Sequence, residues 1–472
     1  MRTSDIPMAP GALPWVGHAL SVRRDPLGFM DSMTGSYPIL RFHLYGRELL
    51  MVCCPELTTR MLRDDRTFDK GGPVAKLVQP LVGDGLATCP HSRHRAYRRA
   101  IQPVVAPDLL PVYIQNIASV VTMVTDQWEP EQPLDVMAQM RRMALHAGMR
   151  TWLPTFMSPA AIDNLADDLT SVLVGFARQL GRPHFIDRLP LSGSRARSSA
   201  MTRIREALTG GLSRWNPNAR SESHLVAALS TNPNDLHTID SEVIIDHAAT
   251  FVAASTATVA SVMGWVWHLL AQNQTIEERL HHEVDTAMRT GPLEYGLLSQ
   301  LPLVRNIITE TLRMYPSLWL GTRVATAHTQ LGAYKIPAGT VLAYSPYIVG
   351  RSYLYKHPGE FLPERWDPDR GQVPPRHSFV PFGGGARQCI AIQYAPAGMA
   401  LILAAVAARW RLTPVSGHPL TPRAAANLTP RSLRMYALPR QGHSRASTGF
   451  TGQASHTRAG TRRPTNRNAW IL

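Results

Sequence analysis

The chain has 472 residues, 44% of them hydrophobic, enough for one large single-core domain or two ordinary ones and too many for a disordered protein. Its formal net charge is +15, of which five arginines (Arg445, Arg458, Arg462, Arg463, Arg467) fall without a single acid in 441–472. No basic stripe interleaved with aromatics is present, so nucleic-acid binding is not expected. The four cysteines, Cys53, Cys54, Cys89 and Cys389, have spacings that fit neither a zinc site nor a disulfide framework, which favours a reducing, cytoplasmic setting.

In chain order, the first twenty residues hold only a short apolar stretch broken by Pro and Gly, so neither a signal peptide nor an N-terminal membrane anchor is expected. Residues 37–55, YPILRFHLYGRELLMVCCP, alternate and predict a β-hairpin. The run GGPVAKLVQPLVGDGLA (71–87) reads as an apolar loop, a candidate pocket wall. In HRAYR (94–98), His94 and Arg98 stand four apart on one helical face. From Ala248 through Thr275 there is no Asp, Glu, Lys or Arg, and Asp240 or Ser241 can cap the start of this helix. It is long enough to span a bilayer. Thr250, Ser255, Thr256, Thr258 and Ser261 dilute its hydrophobicity and no basic cluster flanks it, which favours a helix through a soluble core and no membrane span.

Farther on, ETLR (310–313) puts Glu310 and Arg313 on one helical face, a spacing any surface helix can carry. SLWLGT (317–322) is a second apolar pocket segment, in which Trp319 and Leu320 read equally as pocket walls or as core. Residues 328–347 predict short strands punctuated by Gly and Pro, and 363–381 are Pro-rich loops. The Gly-, Ser-, Thr- and Arg-rich stretch 441–472 predicts a disordered basic tail after a domain spanning 1–440. The chain is thus expected to be mainly α with small β-sheets.

The densest pattern is PFGGGARQCI (381–390). A lone cysteine is more often a buried structural thiol than a ligand. Here, however, Phe382, Gly385 and Arg387 hold fixed offsets from the sulfur of Cys389. Glycine admits backbone approaches that a Cβ forbids, and a guanidinium favours a thiolate or pairs with an anion. The following IAIQYAPAGMALILAAVAARW predicts a helix opening at the cysteine, whose free amides and dipole stabilise a thiolate.

Phe382–Cys389 resembles the haem-binding loop of the cytochromes P-450. The resemblance covers roughly residues 7–440 and implies that family's fold, with haem b between the long central helix and the cysteine helix. It implies Cys389 as the iron ligand, with Phe382 and Gly385 beside it. His94, Arg98, Arg323 (in WLGTRVA) and Arg387 would hold the two propionates. FLPERW (361–366) resembles the family's meander and implies a structural triad of Glu310, Arg313 and Arg365. The implied activity is a monooxygenase reaction on an apolar small molecule with O2. Its electrons would come from NAD(P)H through a ferredoxin reductase and a ferredoxin, since no flavin or nicotinamide domain fits the remaining chain. RDPLGFM (24–30), residues 71–88 with HRAYRRAIQP, and YSPYIVGR resemble actinobacterial sesquiterpene oxygenases of the pentalenene and epi-isozizaene oxidising type, implying a terpene of secondary metabolism. Two other readings stand beside it: a peroxide-driven or non-hydroxylating haem-thiolate enzyme (dehydration, oxidative coupling), and a non-catalytic haem-binding protein.

Three departures from the family's pattern bear on chemistry. Ala257 occupies the position of the proton-delivering acid, while Thr258 keeps the catalytic alcohol. Ser255 replaces a glycine, and with Ala254 it is expected to line the substrate pocket. Asp246 lies twelve residues before Thr258, about 18 Å along a helix, too far to substitute directly. Ala391 replaces a glycine after the cysteine. Pro396 is expected to kink the cysteine helix, and Gly398 stands where an acid is common.

Overall fold

The alternation over 37–55 folds as a hairpin: Ile39–Leu44 pairs antiparallel with Arg47–Val52, Ile39 opposite Val52. The two-residue turn works because Tyr45 and Gly46 both take positive φ, 49° and 76°, which matches the right-handed twist of the strands. Arg47–Val52 runs parallel to Val341–Tyr344, which pairs antiparallel with Gly321–Ala325, and Phe68–Lys70 closes this five-stranded sheet. That last pairing sets Lys70 directly opposite Arg323. The computed structural model describes residues 3–179, 192–215, 224–230, 240–370, 373–417 and 420–440; the basic tail expected over 441–472 lies outside the described residues.

Helices make up most of the rest. Most of the charge-free run, 248–272, lies in the helix Ser241–Gln272, whose start is capped by the Asp240 carboxylate accepting from the Glu242 amide at 3.1 Å. Twenty of its 32 residues are buried, so the helix runs through the protein interior, as apolarity on all sides requires. Val136–Trp152, Ser192–Arg214, Pro302–Met314 and Tyr394–Arg409 pack around it. Smaller sheets complete a mainly α fold with small β elements: Pro133–Asp135, Arg434–Pro439 and Trp410–Pro414 form one, and the hairpin of Thr329–Leu331 with Tyr334–Ile336 another.

Two local expectations need correction. Residues 71–87 are not a loop: Gly72–Val82 is a helix, started by Pro73 in its first turn, where a missing N–H costs nothing, and carrying Pro80 near its end. Nor does a helix open at Cys389. Residues 390–393 form turns and the helix begins at Tyr394. Pro396 therefore sits in the first turn, where no intrahelical acceptor would be waiting, and no kink follows. Gly398 marks a close crossing, since a Cβ there would stand 3.0 Å from Ile117 Cδ1 on helix Leu110–Thr125. That apolar contact has no room for an acid.

Candidate functional site

The cysteine loop is held by its glycines. Gly383 and Gly385 both lie at positive φ, 69° and 66°. At 385 a Cβ would sit 2.3 Å from the Leu62 carbonyl oxygen, so only glycine lets the loop press on helix Pro55–Arg63. The Cys389 amide donates to Phe382 O at 2.8 Å, which closes the loop and leaves the half-buried thiol at its end. Burial raises the pKa of this thiol, opposed by the Ala391 amide and by the charges of Arg98 and Lys70. All four cysteines are unpaired.

Around this loop the structure gathers cations. Arg387 is buried and already engaged: Nη1 donates to Cys89 O at 2.8 Å, Nη2 to Asp69 Oδ1 at 2.7 Å, and Nε stands 3.4 Å from Asp65 Oδ2. Arg98 donates to the carbonyls of Ala386 and Gln388. These two arginines, expected on propionates, are thus also struts that tie the cysteine loop to strand Phe68–Lys70 and helix His91–Ile101. His94 and Arg323 are different. His94 is buried, its pKa pushed down to about 4 by burial and then by Arg387 and Arg98, and its ring has no hydrogen-bond partner among the described residues. Arg323 is 2% exposed, with an unpartnered buried Nε.

Sequence reading missed Lys70. Burial, then the charges of Arg323 and Arg387, push its pKa down to about 7, and its ammonium has no partner among the described residues. Like charges directly opposite across a sheet destabilise it unless something anionic lies between them. With Lys70 protonated, the form an anion beside it would favour, Lys70, Arg98, Arg323 and Arg387 carry four positive charges, and the nearby Asp65 and Asp69 carry two negative ones. Two positive charges remain, the number that two propionates would neutralise. The signal that could have found Lys70 was the DK pair one strand away from TRVA, legible only once the strands were paired.

On the central helix, Ala254 is exposed and Thr258, one turn on, half-exposed, an accessible stripe midway along a mostly buried helix. Thr258 Oγ1 donates to Ala254 O at 2.7 Å. Ser255 turns elsewhere: its Oγ would touch a Cβ at Gly148, 2.7 Å away, so it faces helix Val136–Trp152 rather than standing beside Ala254. Ala257 is buried, without a polar atom. Trp319, read as either a pocket wall or core, is 1% exposed in a separate core with Phe29, Met30 and Tyr347, its indole N–H donating to Ala425 O at 2.7 Å. The hydrogen bond turns the ring away, and Leu320 packs against that same core. Leu318, just before them, is half-buried and belongs to none of the three buried cores.

Glu310 is fully buried and accepts from five donors: Arg313 Nε (2.9 Å) and Nη2 (2.8 Å), Arg365 Nε (3.1 Å), Trp366 Nε1 (2.8 Å) and the Leu362 amide (3.1 Å). Arg313 also donates to the carbonyls of Gly350, Pro358 and Glu360. A buried ion pair with its remaining donors satisfied is structural.

Residues 7–435 match the family profile described as Cytochrome P450. The chain is 32% identical over 453 residues to cyclooctatin synthase of Streptomyces melanosporofaciens, covering 93% of this chain and 99% of that protein. It is 32% identical to pentalenene oxygenase of Streptomyces avermitilis, covering 90% of this chain and 96% of that one. Cyclooctat-9-en-7-ol 5-monooxygenase of Streptomyces melanosporofaciens is 32% identical over 87% of this chain and 90% of its own length.

Proposed function

This chain belongs to the cytochrome P450 family of haem monooxygenases, and from that premise we propose that it hydroxylates a terpene with O2, using electrons delivered by a ferredoxin. The observation that carries the reading is Cys389 on a glycine-built loop beside a cation cluster two charges short of neutral. We assign Cys389 as the iron ligand and Lys70, Arg323 and His94 as the propionate partners, with Arg98 and Arg387 bracing the loop. When bound, haem supplies the activation of O2 and the oxidising power for oxygen insertion. The chain's own groups do the rest. Leu318, Ala254 and the helix Gly72–Val82, whose Leu77 and Val78 are half-buried, offer an apolar enclosure that orients a hydrocarbon and excludes water. With its proton committed to Ala254 O, the Thr258 hydroxyl keeps its lone pairs for a proton-carrying water, the role that Ala257 cannot share.

The substrate class rests on the relatives named for pentalenene and cyclooctat-9-en-7-ol. For the electron donor, Arg63, Arg95 and Arg99 are exposed around the exposed Gly385–Ala386 edge of the cysteine loop, a basic face that would steer an acidic ferredoxin. Four unpaired cysteines agree with a cytoplasmic setting. The test is turnover of terpene hydrocarbons, pentalenene first, by holoprotein with ferredoxin, its reductase and NADPH. A hydroxylated product supports the reading. Oxidation driven only by hydrogen peroxide would replace it with the peroxide-dependent one.

Two variants follow. Lys70→Met is expected to speed haem loss to apomyoglobin about tenfold, the value of a charge-assisted hydrogen bond, and unchanged loss would remove Lys70 from the propionates. Thr258→Ala should lower product formed per NADPH about tenfold while peroxide rises to match. Unchanged coupling would leave the Thr258 hydroxyl without a role.

A further inference from the structure

Asp246 cannot reach the oxygen-activating end of the central helix, yet it is heavily used. Its Oδ1 accepts from Arg205 Nη1 at 2.8 Å, on helix Ser192–Arg214, and its Oδ2 from the Asp84 amide at 2.8 Å. Next to it, His247 Nδ1 accepts from the Leu86 amide at 3.2 Å. The loop after helix Gly72–Val82 is shaped for this contact. A Cβ at Gly83 would lie 2.1 Å from the Asp246 carboxylate, and one at Gly85 would lie 2.2 Å from Thr250 Oγ1. Two glycines thus let the VGDGLA backbone lie directly on the central helix. Arg205 also pairs with Glu242 at 2.7 Å, and Arg93 of helix His91–Ile101 with Asp84 at 2.6 Å.

The loop is stiff. Thr88 Oγ1 donates to Gly83 O at 2.6 Å and the Cys89 amide to Gly85 O at 2.9 Å. Its far end is the Cys89 carbonyl held by Arg387 of the cysteine loop. One short segment therefore joins the apolar helix Gly72–Val82 to the haem-side cation cluster, and on the central helix it is anchored by the Asp246 carboxylate and by His247. Loss of that carboxylate would loosen the loop and the helix Ser192–Arg214 at the same point, leaving the Leu86–His247 and Arg205–Glu242 contacts to hold them.

We propose that Asp246 is a positioning residue, a latch that joins the Gly83–Leu86 loop and helix Ser192–Arg214 to the central helix and sets how fast an apolar ligand enters and leaves the cavity. This deepens the reading of a haem enzyme with an apolar substrate and rests on it. Asp246→Asn keeps an oxygen for the Asp84 amide but loses the charge opposite Arg205, so the latched state is less populated while the site stays intact. Arg205→Gln removes the same pair from its more accessible side, together with the Arg205–Glu242 pair, for which Glu242→Gln is the control.

The experiment follows phenylimidazole binding to ferric holoprotein by stopped flow, a probe that ligates haem iron whatever the natural substrate is. Asp246→Asn and Arg205→Gln are each expected to raise both association and dissociation rates roughly tenfold, with affinity little changed, and the double variant to go no further. Rates equal to wild type, or effects that simply add, overturn the latch. Hydrogen exchange gives an independent reading. The Asp84 and Leu86 amides should exchange about tenfold faster in Asp246→Asn while those of helix Pro302–Met314 do not; acceleration at both would mean general destabilisation and refute the latch. Failure of the wild-type protein to bind phenylimidazole would count against the haem-thiolate reading, and exchange alone would then decide the latch.

Discussion

Cys389→Ser is expected to abolish the thiolate band of the reduced carbon monoxide complex and to bring turnover to background. Serine keeps the size of the side chain and the loop that carries it, since the turn is set by Gly383 and Gly385 at positive φ and by the 389 amide on Phe382 O. What it removes is the soft, electron-donating sulfur, for which a hydroxyl is a poor substitute at iron. Haem content should fall less than activity, because Lys70, Arg323 and His94 are untouched. The rival thiol is Cys89, buried and with its Sγ 3.8 Å from Arg387 Nη1. A band that survives Cys389→Ser and vanishes in Cys89→Ser would move the ligand there. Cys53 and Cys54, just after strand Arg47–Val52, serve as silent controls.

Much of the fold could be read without coordinates where one physical signal dominated. Twenty-eight residues without a charge (248–275) admit few soluble outcomes, and the interior helix Ser241–Gln272 is one of them. The two-residue turn at Tyr45-Gly46, both at positive φ, set the register of the hairpin. Where two signals competed, sequence reading failed. Glycine and proline hid the helix Gly72–Val82 because proline breaks helices inside and starts them at the first turn. The same ambiguity misplaced the helix after Cys389, which begins only at Tyr394 because Pro396 fits a first turn and not a helix interior.

Side-chain direction was the other limit. Trp319 and Leu318 are neighbours in sequence, and the direction of the Trp319 ring depends on a hydrogen bond to Ala425 more than a hundred residues away. Lys70 escaped for a similar reason. A lysine gains meaning only when pairing puts it opposite Arg323 and within reach of Arg387. Motifs local in sequence were legible, and groups assembled by tertiary pairing were not. Asp246 shows the consequence for function: excluded from proton delivery by distance along its helix, it acquires a use only through Asp84 and Arg205, which the chain brings from 162 and 41 residues away.

Glu310→Ala should be the most damaging change outside the haem ligand, costing about 3–5 kcal/mol of stability. That is a large share of the roughly 5–15 kcal/mol typical of a folded domain. The cost is not the loss of one ion pair. Five donors converge on this carboxylate, and alanine would leave Arg313 charged and buried with only three carbonyls to meet it. Glu310→Gln should do little better, because its amide nitrogen would present a donor either to the Arg313 and Trp366 donors or to those of Arg313, Arg365 and Leu362. The damage would spread to the haem side, since Glu310 positions the Leu362 amide, Arg365 and Trp366 just ahead of the cysteine loop, and Trp366 packs at 5.1 Å against Phe379. Purified Glu310→Gln should therefore show a lowered urea midpoint and reduced haem content, yet wild-type turnover per bound haem. A fall in turnover per haem equal to the fall in haem content would give Glu310 a part in the chemistry, because a purely architectural residue changes how many molecules are assembled and not what each one does.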